Sequence, residues 1–213
     1  MSWSTRVWIL LLIVYATFFS WYTSFAGPLN EEEIAHYSEV LSGLEPDPER
    51  FARWQAFMRS DTGDDFAMIN VVHLNDIPTP GPGIEPGETS EEVAAKYSEP
   101  FMSRAFRNAA HPVMMGFAAA DALDTWGIDA ADTWTGGVLV RYRSRRDLME
   151  QAIAIRQMDG TNIHDFKIAA IAKTIAYPLD PWFQLGDPRL VLALLLIIVG
   201  LASQIMLGRS TSA

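Results

Sequence analysis

The sequence contains no cysteine. Disulfide frameworks, thiolate metal centres and thiol nucleophiles are therefore excluded together. Basic residues are scarce: 16 Lys and Arg stand against 26 Asp and Glu, a formal charge of −10. Three of them, Arg6, Arg189 and Arg209, flank two apolar runs, which leaves 13 for the stretch between Glu31 and Asp187 that holds every acidic residue. So acidic a middle repels phosphate backbones, and nucleic acid is set aside as a partner. Also missing are a histidine pair with H-E-x-x-H spacing, a serine in a nucleophile elbow, a glycine-rich phosphate loop and any internal repeat. Asp64-Asp65 and Glu91-Glu92 are adjacent in sequence and belong to solvated surface. Hydrolase and metalloprotease chemistry is left without a carrier.

What is present in excess is long apolar sequence near both ends. Leu190 to Leu207 is 18 residues without a charge, about 27 Å as a helix and close to a bilayer's hydrocarbon thickness. Pro188 suits its start, Trp182 and Phe183 suit an interface, and Arg209 closes it. The first run, Val7 to Ala26, is bracketed by Trp3 and Trp8 at one end and Trp21 and Tyr22 at the other. Those aromatics fit a retained anchor. Ser24-Phe25-Ala26 before Gly27 also fits a signal-peptide cleavage site, the alternative to the favoured anchor. Ala16, Ser20 and Ser24 form a small-residue stripe that would allow close helix contact. Basic residues outside the runs and Glu31 to Glu33 inside them predict cytoplasmic termini and an extracytoplasmic middle, in a bacterial inner membrane with lipid as a partner. The expected order is a tail at 1–6, a span at 7–26, a helical cover or stalk at 27–62, a folded domain at 63–178, a linker at 179–189, a span at 190–207 and a tail at 208–213.

Within the middle, Asn30 with Glu33 forms a capping box before Ile34, Tyr37, Val40, Leu41 and Leu44, with Gly43 as the stop. Asp47-Pro48-Glu49 opens a second helix carrying Phe51, Trp54, Phe57 and Met58. Phe66 to Leu74, short and β-rich, predicts a strand. Four prolines and three glycines between Asp76 and Thr89 predict a long loop, functional or mobile. Thr89 and Glu92 then cap a helix running to about Asn108, kinked at Pro100. Pro112 to Ala120 and Trp134 to Tyr142 predict strands, Ser144 and Asp147 cap a helix through Ile155, and Asp159 to Asn162 stop it. Residues 166–177 fit a helix or a strand by pattern; a strand there completes β-α-β-β-α-β. The expected class is α+β, ferredoxin-like, with two extra helices before it and a transmembrane helix on either side.

That order, with MINVVHL on the first strand and TWTGGVLVRYRSRRDLMEQA across the third strand and second helix, resembles the dimeric α/β-barrel superfamily. The likeness is to its uncharacterised small-domain branch, near the ethyl-tert-butyl-ether-degradation (EthD-like) and NIPSNAP-like groups, and covers Phe66 to Tyr177. It implies a ferredoxin-like fold, pairing of two sheets between copies, and a cleft between sheet and helices in each copy. Members include monooxygenases, isomerases and haem-handling proteins, so the fold does not select a chemistry.

Candidate ligand-binding residues are Asn70, a polar side chain on an apolar strand face; Arg104; and the cluster Arg141, Arg143, Arg145 and Arg146 around Ser144, where guanidinium groups and helix-end amides suit an anion. Surface pairing with carboxylates is the plainer account of that cluster. His111 with Met114 and Met115 carries donors that copper(I) prefers; His164 would be a haem ligand by family analogy. No cofactor is predicted, with haem and copper left open. The leading expectation is a non-catalytic, membrane-anchored domain that self-associates or joins another membrane protein, as an accessory subunit or the binder of a small ligand. The alternative is an enzyme acting on a small apolar or carboxylate-bearing substrate through Asn70, Arg104 and Arg141.

Overall fold

The computed structural model describes residues 2–129, 133–156 and 163–210, the last four by backbone alone. In chain order the elements are α1 (Trp3–Tyr22), α2 (Glu31–Ser42), α3 (Pro48–Arg59), β1 (Phe66–Leu74), α4 (Ser90–Arg107), β2 (His111–Phe117), β3 (Gly136–Tyr142), α5 (Arg145–Arg156), α6 (Ile163–Ala170), β4 (Ile171–Leu179) and α7 (Pro188–Ser210). They form two units, one from the terminal segments and one from Phe25–Asp180.

Helices α1 and α7 are each long and apolar enough to cross a membrane. Both start before the apolar runs do. Ser2 accepts from the Thr5 amide and opens α1 at Trp3, and Asp187 accepts from the Arg189 amide at the head of α7. Polar caps, rather than hydropathy, set those ends. The two helices pack together, with the Trp8 indole seated against Gly200, where a β-carbon would overlap the ring. At one end of this pair Arg189 lies 5.5 Å from the Tyr22 ring and is paired with Asp187 at 2.6 Å.

The other unit is an α+β domain on a four-stranded antiparallel sheet of order β2-β3-β1-β4. Both capping boxes form, Asn30 with Glu33 on α2 and Thr89 with Glu92 on α4, and α4 accommodates Pro100. Strand β1 occupies the predicted residues. The stretch 166–177 is divided: 166–170 belong to α6 and only from Ile171 does the chain enter β4. Phe166, Ala169 and Ala170 are drawn into helix by packing on Val93 of α4, a tertiary contact that pattern alone cannot reveal. A stop at Asp159 to Asn162 lies outside the described residues.

Register sorts the sheet into two faces. Phe66, Met68, Val138, Val140 and Tyr142 point to the helices and pack with Ala105 of α4 and Leu148 of α5. Trp54 and Phe57 of α3 join this layer, while Leu29 with Ile34, Tyr37 and Leu41 of α2 and Met58 of α3 encloses Met149 of α5. The opposite face presents Ile69, Val71 and Leu139, with Ile175, Tyr177 and Leu179 of β4 beside them. The last three are exposed, and none of these six joins a core cluster.

Candidate functional site

The arginines around Ser144 lie where β3 runs into α5, and each turns to a different intramolecular partner. Arg141 is 1% exposed and donates to Asp65 at 2.9 and 3.0 Å and to the Ala109 carbonyl at 3.0 Å. That carbonyl belongs to a residue at φ 55, a backbone state alanine rarely takes. Arg143 pairs with Asp147 at 2.7 Å, while the Ser144 hydroxyl caps the Asp147 amide. Arg145 stacks on the Phe57 ring, donates to the Phe57 carbonyl and the Ser60 hydroxyl, and faces Asp61 at 3.6 Å. Arg146 grips Glu33 at 2.6 and 2.9 Å. A hydrogen bond from the Arg146 guanidinium, then one from the Asn30 amide, hold the Glu33 carboxyl at about 2. The cluster sews α2, α3 and α5 to the sheet.

Asn70 faces the helices, and its amide donates to the Met68 carbonyl of its own strand at 3.2 Å. Arg141 lies on the other face of the sheet, because it sits opposite Ala67 in register. Arg104 is exposed in the last turn of α4, where a cation complements the helix end. Asn70, Arg104 and Arg141 therefore do not converge. Among the donors proposed for copper, Met114 and Met115 point to opposite faces, in register with Leu139 and Val138, and a bulge separates Met114 from Pro112. Among the described residues no group of three or more His, Asp and Glu is placed to hold a metal ion.

The segment from Asp76 to Thr89 is tied down. Lys96 of α4 reaches the Gly83 carbonyl at 2.7 Å and Glu88 at 2.6 Å, and the Thr79 amide bonds to Ala169 of α6. Beneath it an open recess of about 270 Å³ is lined by Thr79, Pro80, Ile84, Phe166 and Ile168, among others.

His164 has company that sequence spacing did not reveal. It stands with Lys167 one turn along α6, and both face Tyr97 of α4: the imidazole lies edge-on 6.2 Å away and the ammonium 5.6 Å from the ring centre. Arg156, from the end of α5, and Arg50 lie on the same side and share one buried carboxylate, Glu45, at 3.7 and 3.4 Å. Burial, then the positive charges of Arg156, Lys167 and Arg50, push the His164 imidazole down to about 4. Burial and the two arginines likewise lower the Lys167 ammonium, and burial raises Tyr97 to about 12. The only sequence signal for this group was Lys167 three residues after His164.

No protein-family model matches the chain, and no curated protein matches it. Two solved structures are similar to it in fold. One, described as methylated RPA0582 protein, has a TM-score of 0.51 and 21% identity over 67% of this chain and 96% of that one. The other, RPA0582 from Rhodopseudomonas palustris, described as a protein of unknown function, has a TM-score of 0.50 and 22% identity over 66% of this chain and 97% of its own.

Proposed function

We propose that the chain is a membrane-anchored association domain, held by α1 and α7 with both termini cytoplasmic, whose α+β unit is ferredoxin-like and pairs with a second copy in the manner of the dimeric α/β barrels. The sheet order and the fully antiparallel pairing support the topology. One observation carries the association: the sheet face holding Ile69, Val71, Leu139, Ile175 and Tyr177 is apolar and has no helix packed on it among the described residues. Contiguous apolar surface of this kind is rarely left to water. Self-association would cover it, with Lys173 at its margin lying over Trp134. An enzyme of the same superfamily would need its polar groups convergent in one cleft, and Asn70 and Arg141 are on opposite faces.

The test is native mass spectrometry of the full chain in mild detergent, at concentrations spanning the micromolar range. Dimers that dissociate when Ile69→Lys and Ile175→Glu are combined support the proposal. A wild-type chain that stays monomeric throughout removes it. Orientation is tested separately: an alkaline-phosphatase fusion at the C-terminus should be inactive, and an active one reverses the topology.

A further inference from the structure

Among the described residues, Arg50, Arg156 and Lys167 gather positive charge about Tyr97 and the neutral imidazole of His164. Arg156 pairs with Glu45, and Arg50 with Glu45 and Asp47. Lys167 has the Tyr97 ring as its partner and no carboxylate among the described residues. The positive charges of Arg156 and Arg50 disfavour its ammonium, and with Lys167 they disfavour protonation of His164. A half-buried ammonium beside other cations is held at a cost, unless an anion completes the set. Its surroundings are also aromatic: Tyr97 lies 5.5 Å from Phe101 along α4 and packs with the cluster containing Val93 and Phe166. Cations above an aromatic wall match an anion that carries an apolar body.

We infer that Lys167, His164, Arg156 and Tyr97 form a binding site for an organic carboxylate, with Lys167 and Arg156 taking the carboxylate oxygens and the Tyr97 ring taking the apolar part. The site is distinct from the open sheet face, because α4, α5 and α6 cover the other side of the sheet. It therefore stands whether or not two copies pair.

Benzoate is the probe, titrated into the full-length protein in mild detergent by calorimetry and by thermal unfolding, at constant ionic strength maintained with chloride. Saturable binding of one benzoate per chain, with a rise in Tm, is expected. Lys167→Met should weaken it by about tenfold or more, as loss of a charge-assisted contact does, and should raise the Tm of the free protein by removing a half-buried charge. His164→Gln provides a second variant that should also weaken benzoate binding. Lys173→Gln, on β4, should bind as wild type. Absence of a saturable benzoate effect overturns the inference, as does binding that persists unchanged in Lys167→Met. Inorganic phosphate binding in place of benzoate overturns the carboxylate assignment.

Discussion

At the residue scale the domain is governed by arginines paired one by one. Arg141 is the most enclosed of them, and its loss removes the hydrogen bonds it donates to Asp65 and the Ala109 carbonyl. Breaking a buried pair from one side costs about 3–5 kcal/mol. Arg141→Met should accordingly lower the urea midpoint of the folded domain steeply, whereas Arg104→Met, at an exposed position, should leave it within about 0.5 kcal/mol. Glu33 and His164 set the acid response. The depressed Glu33 carboxyl contributes stability that is complete above the ordinary value of 4.5 and drains away as pH falls toward about 2. His164 is neutral when folded, so from 6.5 down to about 4 the unfolded chain takes up a proton that the folded one refuses, and stability falls across that window. Denaturant midpoints recorded from pH 7 to 4 should decline less in His164→Gln than in wild type. Below pH 4 the contrast should move to Glu33→Gln.

At the element scale, helix ends are set by short polar signals and helix packing by single close contacts. The Thr89 and Glu92 box fixes the start of α4, and Thr89→Ala should cost about 1 kcal/mol in thermal or chemical unfolding. Gly200 of α7 has no room for a β-carbon against Trp8. Gly200→Ile should therefore lower the melting temperature of the helix pair in detergent, and adding Trp8→Ala should restore part of the loss, since the second change empties the space the first one overfills. A double variant no better than the single one would show that the contact does not hold the pair. The division of 166–177 into α6 and β4 belongs at this scale too. Its apolar pattern served both structures, and the packing of Phe166 on α4 decided where helix gave way to strand.

At the scale of the whole molecule, two apolar terminal helices accompany one α+β unit whose sheet is covered by helices on one side and, among the described residues, has no helix packed on the apolar side chains of the other. That apolar side is where the proposed pairing places a second copy. The combined Ile69→Lys and Ile175→Glu exchange should yield monomers with an unchanged circular-dichroism spectrum, because both side chains point away from the helix-covered core.

The sequence alone determined the elements with strong local signals: apolar runs too long for ordinary surface helices, both capping boxes, and the short β-rich run of β1. Those signals act over a few residues and need no partner to be read. Which arginines would be consumed, and that Asn70 and Arg141 would lie on opposite faces, came only from register and packing between residues as far apart as Arg146 and Glu33. The grouping of Tyr97, Arg156, His164 and Lys167 is likewise a product of tertiary structure. Three helices bring those side chains together, and spacing along the chain holds no record of their approach.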